Sequence, residues 1–137
     1  MKPYVLDASA AIAFLREEAG SVVVKELLKQ KVNFQYTIYL HKATLAEIYY
    51  DALKVSGFDG AEESLHIITA LPISVIGDIS DELLRQIGYF KTHYKISFAD
   101  CFVLATAKIH NATVVTSDHH EFDAVEKNGD VSFEWIR

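Results

Sequence analysis

Hydrophobic and polar positions alternate along the chain at two different periods, and the switches between them mark out the elements. Tyr4-Val5-Leu6 is a short apolar run that predicts a buried strand. Ser9 to Leu28 is rich in Ala, Leu, Glu and Lys and predicts helix, with a break near Gly20. Phe34 to Leu40 is aromatic and β-branched and predicts a second strand. From Thr44 to Val55, the residues Leu45, Ile48, Tyr49, Ala52 and Leu53 fall on one side of a helix that Ser56-Gly57 ends. Asp59 to Leu71 predicts another helix, closed by Pro72, and Ile73 to Ile76 a third strand. Asp81 to Lys95 predicts a helix with Leu83, Leu84, Ile87 and Tyr94 on one stripe, and Ser97 to His110 a strongly apolar helix. Thr113 to Thr116 and Val131 to Trp135 predict the fourth and fifth strands.

Strands that alternate with helices in this way favour a mainly parallel sheet of about five strands with helices on both faces, an α/β architecture. Right-handed crossovers then bring every strand's C-terminal end to one edge. Ligands bind such sheets at that edge, where the strand order reverses.

Composition narrows the class. With 137 residues, half of them hydrophobic and 23% charged, residues 1–137 are expected to form one domain with a core of its own. No linker, repeat or low-complexity run interrupts them. The single cysteine, Cys101, excludes an internal disulfide and fits a reducing, cytoplasmic setting. A net charge of −6 argues against coating nucleic acid by bulk attraction, while leaving room for contact through a bound metal. No membrane span is expected: the uncharged stretch from Ser64 to Gly77 is broken by Pro72 and falls short of the ~18 residues a span needs. The apolar start stops at Asp7, so no secretory leader is expected either.

Four carboxylates fall near the expected edge. Asp7 ends the first strand, Glu47 lies early in the helix after the second, Asp100 lies in the first turn of the apolar helix, and Asp118 follows the fourth strand. Each has a plain structural reading. Asp7 can cap the helix that starts near Ser9; Thr44-x-x-Glu47 and Ser97-x-x-Asp100 fit capping boxes; Asp118 can be a turn residue or the cap of a short helix, with Glu121 three positions on. Together they say more. Asp100 is the one charged residue between Lys95 and Lys108, and Asp7 interrupts an apolar run in the same way. An unpaired buried carboxylate is costly, and neighbouring carboxylates raise one another's pKa. A divalent cation removes that conflict, and an all-oxygen set suits Mg²⁺ or Mn²⁺ rather than Zn²⁺. The matching chemistry is metal-assisted phosphodiester hydrolysis.

These residues carry a resemblance. Val5-Leu6-Asp7-Ala8-Ser9-Ala10 resembles the opening motif of the PIN-domain nucleases, and Ala46-Glu47 their second acidic unit. The stretch from Ser97-Phe98-Ala99-Asp100 to Ala107 resembles the family's third acidic helix, and Val114-Val115-Thr116-Ser117-Asp118-His119-His120-Glu121-Phe122 its closing strand and loop. The set covers nearly the whole chain in order. It implies a three-layer α/β/α sandwich and an Mg²⁺- or Mn²⁺-dependent endoribonuclease. Asp7, Glu47, Asp100 and Asp118 would carry over as the acidic site. Asp7 and Asp100 would hold the principal ion, and Glu47 and Asp118 a second ion or a water. Ser9 and Thr116 would act as supporting hydroxyls. A chain this compact most resembles VapC-like toxins of type II toxin–antitoxin modules, which implies an RNA substrate, a cognate antitoxin and a homodimer. Ser117 stands where the family often has a basic or other polar residue, a departure that bears on substrate contacts.

Other residues keep two readings each. Arg16 either points at the catalytic edge or the antitoxin, or is a solvated member of Arg16-Glu17-Glu18. His119 and His120 either touch RNA or sit in an exposed loop; their spacing does not suit a zinc site. Lys91, His93 and Lys95 either hold phosphate backbone or form the solvated face of a helix. Tyr49 and Tyr50 either stack on bases or pack, and Cys101 reads as a buried small hydrophobe. Two rivals remain: a housekeeping RNA-processing enzyme on the same fold, and a non-catalytic receiver-like module. The latter needs a phosphorylatable Asp closing the third strand, where this chain has Gly77-Asp78.

Overall fold

The computed structural model describes residues 2–137. Its elements are β1 (Tyr4–Leu6), α1 (Ala8–Leu15), α2 (Ser21–Phe34), β2 (Ile38–His41), α3 (Lys42–Ala70), β3 (Ser74–Ile76), α4 (Asp81–His93), α5 (Phe98–His110), β4 (Thr113–Thr116), α6 (His119–Asn128) and β5 (Ser132–Trp135). The strands form one sheet in the order β3-β2-β1-β4-β5, every pairing parallel. Successive side chains on each strand face opposite ways. Leu6, Leu40 and Val115 therefore join α1, α2 and α3 in one core, while Val5 and Val114 join α4, α5 and α6 in a second. These are the three layers of an α/β/α sandwich.

The order also decides where a site can lie. The chain winds outward from β1 to β2 and β3, then crosses to β4 and β5 on the other side. The reversal falls between β1 and β4, whose C-terminal ends carry Asp7 and Thr116-Ser117-Asp118. The same order removes the receiver-like reading. That reading needs the third strand beside the first, as in the 2-1-3-4-5 order, whereas here β3 is an edge strand separated from β1 by β2.

Several boundaries differ from the sequence expectation. The second strand does not start at Phe34. Helix α2 runs through Phe34, Gln35 caps it in the left-handed region, and β2 begins at Ile38. Gly20 makes the expected break before α2 at φ +96°, where the edge of Ile136 approaches too closely to admit a Cβ. Helix α3 starts two residues before Thr44. His41 is its N-cap and its Nδ1 accepts from Ala43 N at 3.0 Å, so Thr44 forms no capping box and its Oγ1 is buried without a partner. The expected break at Ser56-Gly57 survives as a kink: Gly57 sits at φ +74°, ψ −170° and divides α3 into two helical halves. On α4 the buried stripe is Leu83, Ile87 and Phe90, because that face meets α5, and Leu84 turns to solvent. The sequence offers helix α6 only as an option at Asp118, because its apolar signal is just two buried residues, Phe122 and Val125. No helix among the described residues is long and apolar enough to cross a membrane.

Candidate active site

Asp7 leaves β1 at the crevice and is 2% exposed. It stands at the N-cap position of α1, yet its side chain makes no cap bond. Its Oδ2 instead accepts from Ser9 Oγ and Thr116 Oγ1, each at 2.8 Å. Each hydroxyl has one proton to give. With both protons directed at Asp7, the 3.1 Å separation of the two hydroxyls adds no third bond. Their lone pairs are used as well: Ser9 Oγ accepts from Ser117 N at 3.1 Å and Thr116 Oγ1 from Asp118 N at 3.0 Å. Asp7 is thus tied to the loop that presents Asp118.

The other acids arrive from helix starts. Asp100 is the third residue of α5, 5% exposed, and its backbone N–H is capped by Ser97 Oγ at 3.1 Å. Asp118 caps α6 through Oδ1, which accepts from Glu121 N at 3.1 Å. The structural and functional readings of Asp118 therefore hold at once. Glu47 lies in the second turn of α3, half-buried, with Oε1 shielded and unpartnered. Glu121, which the sequence marks only as a companion to the Asp118 cap, also points inward with Oε2 shielded and unpartnered. Its signal is its position in the first turn of a helix that follows the fourth strand.

Electrostatics link the set. Burial raises the Asp7 carboxyl, the two hydroxyl bonds oppose that, and the charge of Asp118 adds to it. Burial raises Glu47, reinforced by Asp7, Asp118 and Asp51. Asp100 is pushed up to about 7, first by burial, then by Asp7, with smaller contributions from Glu47 and Glu121 against the Ser97 bond. Asp7, Glu47, Asp100, Asp118 and Glu121 are therefore linked by their charges across four chain segments. Among the described residues none of them forms an ion pair with Lys, Arg or His.

Other sequence candidates fall outside this cluster. Arg16 pairs with Asp51 on α3, with Glu18 at 4.0 Å. His119 stacks on Trp135 at 3.9 Å and bonds Asp123 at 2.9 Å, which raises its pKa. Tyr49 donates to Glu62, Tyr50 is exposed beneath Lys54, and Cys101 is buried.

A divalent cation is tested by this donor set. The groups facing one another are carboxylates without thiolate or imidazole, which suits a hard cation. Two of their oxygens are buried and unsatisfied, and three of their pKa values are raised, all of which a positive charge would relieve. Among the described residues no three side chains converge tightly enough to enclose one ion. It is the chemistry of these donors, rather than their spacing, that fits a hard cation.

A parallel sheet with acids gathered at its switch point defines an α/β protein whose ligand-binding edge is acidic. The model of the PIN domain matches residues 4–128, and the chain belongs to that family. No curated protein matches the sequence. Solved structures do match. VapBC2 from Rickettsia felis, bound to a DNA fragment from its promoter, is 20% identical over 96% of both chains with a TM-score of 0.73. VapC20 from Mycobacterium tuberculosis, described as a sarcin-ricin loop cleaving toxin, is 15% identical over 89% of this chain and 94% of its own, with a TM-score of 0.68. FitAcB from Neisseria gonorrhoeae is 23% identical over 97% of both chains, with a TM-score of 0.65. At these identities the likeness is one of fold.

Proposed function

We propose that this protein is a divalent-metal-dependent endoribonuclease and the toxin of a toxin–antitoxin pair. The observation that carries the nuclease reading is the set of five carboxylates without a cationic partner at the β1/β4 crevice. Asp7 and Asp100 would hold the principal Mg²⁺ or Mn²⁺, with Glu47, Asp118 and Glu121 completing the site directly or through water. The cation would supply charge stabilisation at the scissile phosphate and an activated water. Ser9 and Thr116 fix the rotamer of Asp7, and Ser97 and Asp118 anchor the helix starts that present Asp100 and Glu121. Orientation of ligands by such outer partners is worth roughly 10–100-fold in metal affinity or activity.

The toxin reading is supported by likeness to VapBC and FitAB-type complexes, and exposed apolar side chains on α3 are consistent with it. A groove of about 260 Å³ between α1 and α3 is lined by Ile12, Leu15, Ile48 and Ile67, and α3 exposes Leu53, Val55 and Phe58 nearby. These faces suit an antitoxin helix and a second copy of the chain.

The test is incubation of purified, partner-free protein with structured RNAs in Mg²⁺ or Mn²⁺, with EDTA and Asp100→Asn as controls. Metal-dependent cleavage that disappears in the variant is the expected result. Cleavage retained by Asp100→Asn at the same metal concentration rejects the role given to that residue. Growth arrest on expression, relieved by a neighbouring reading frame, is the expected sign of the toxin pair.

A further inference from the structure

A second feature leads away from the acids along α6. A groove of about 360 Å³ lies between the α4–α5 connection and α6, and Glu121 lines it. From there Ala124 and Asn128 continue the same face of α6, three and seven residues on, so the groove extends about 10 Å from the acid cluster. Its other wall carries His93 and Lys95, and His120 stands at the acid end. Lys95 is exposed and, among the described residues, forms no ion pair and no hydrogen bond.

The Lys95 backbone is held on both sides. Ile96 is buried and its carbonyl accepts from Lys91 Nζ at 2.7 Å. The Tyr94 hydroxyl donates to Asp130 and accepts from Asn128 Nδ2 at 3.2 Å. Lys91, on the exposed face of α4, braces the connection, and His93 Nδ1 is bonded to Tyr89 O at 2.8 Å.

Other grooves differ in charge. The one between α1 and α3 holds Asp51 and Glu63, with its Arg16 already paired to Asp51. The one beside Tyr39 holds Asp78 and Glu82, and the one at Lys42 also holds Glu62. In the α6 groove one lysine, without an ion pair among the described residues, and two imidazoles face a single carboxylate. A polyanion approaching the acids along α6 meets the Lys95 ammonium and imidazole N–H donors.

We propose that this groove seats the sugar-phosphate backbone of single-stranded RNA on one side of the scissile bond, with Lys95 and His120 as its phosphate contacts. The proposal rests on the nuclease reading. It deepens that reading by assigning the path of the strand. A Lys on a fixed backbone beside a shallow aromatic and apolar floor suits a single strand, whose phosphates are contacted without reading base edges.

The test uses the full chain carrying Lys95→Gln and His120→Gln together, with Lys29→Gln on exposed α2 as a charge-matched control. Binding of a labelled single-stranded RNA is followed by anisotropy at several salt concentrations in an Asp100→Asn background, and cleavage kinetics in the Asp100 background. The double variant is expected to bind several-fold more weakly, with a salt slope smaller by roughly 0.7 for each phosphate it no longer neutralises. KM should rise with kcat little changed, and the control should behave as the parent. Unchanged affinity and salt slope in the double variant, with the parent still binding and cleaving RNA, overturn the groove and leave the nuclease intact. A parent that neither binds nor cleaves RNA with either metal overturns both. Tighter binding of the same sequence as DNA overturns the assignment to RNA.

Discussion

Thr116 Oγ1, at the end of β4, donates a 2.8 Å hydrogen bond to Asp7 Oδ2, at the end of β1, across 109 residues of chain. The two strands are direct parallel neighbours, with Leu6 opposite Val115 in register. The bond therefore reports that the sheet has closed at its switch point, and it sets the Asp7 rotamer where the other acids gather. Thr116→Val keeps the shape and removes the donor. It should cost about 1 kcal/mol of stability and roughly 10–100-fold in divalent-metal affinity. Thermal melts and titration calorimetry measure the two; unchanged metal affinity would show that Ser9 alone holds Asp7.

The metal-free protein should lose stability as pH rises from about 4 to about 7. Asp100 moves from 3.8 to about 7 on folding, and burial raises Asp7 and Glu47 in the same direction. Between the two values the native state binds more protons than the unfolded state, so unfolding free energy falls with increasing pH. Below about pH 4 the carboxyl is protonated in both states and exacts no penalty. Above about 7 it is ionised in both, and the full penalty applies. Chemical denaturation in EDTA at pH 5 and pH 8 measures this, with the higher stability expected at pH 5.

Divalent metal should reverse that trend at pH 8. Binding only to the native state stabilises it by about 2.7 kcal/mol at a hundredfold excess over Kd. Asp100→Asn should raise the EDTA melting temperature at pH 8, because a buried charge among like charges is gone. The same change should shrink the increment that Mg²⁺ or Mn²⁺ provides. Equal increments in parent and variant would remove Asp100 from the ion's ligands.

Asp118 has two duties, and two substitutions separate them. Asn caps a helix about as well as Asp, so Asp118→Asn should keep stability within a few tenths of a kcal/mol while reducing cleavage. Asp118→Ala should lose cleavage and about 1 kcal/mol besides. Full cleavage by the Asn variant would leave Asp118 as a cap alone.

Glu121→Gln should lower cleavage and leave the fold intact. It keeps the shape of a side chain whose inward oxygen is shielded and unpartnered, and it removes one of the charges raising Asp100. The accompanying sign is a lower Asp100 pKa, readable by carboxyl NMR. No change in either quantity would place Glu121 outside the cluster.

What could be read along the chain is what local spacing decides. The five strands, the breaks at Gly20 and Gly57, the Ser97 cap and the four acids at element ends all follow from periodicity, propensity and turn chemistry within a few residues. Boundaries moved where a distant partner outweighed local preference. Helix α3 begins at Lys42 because the buried ring of its cap, His41, accepts from Ala43 N and bonds the Asp78 carbonyl at 2.9 Å, a contact 37 residues away that no local pattern records. Leu84 left the core because only the Leu83–Ile87–Phe90 face meets α5. The site divides in the same manner. Asp7, Asp100 and Asp118 are visible in the sequence as carboxylates that interrupt apolar runs or follow strands, and Glu47 as an acid early in the helix after the second strand. Their mutual field, the entry of Glu121 and the joining of His93, Lys95 and His120 into one groove depend on the order β3-β2-β1-β4-β5. That order sets which segments become neighbours, and both the field between charges and the lining of a groove are properties of neighbours in space.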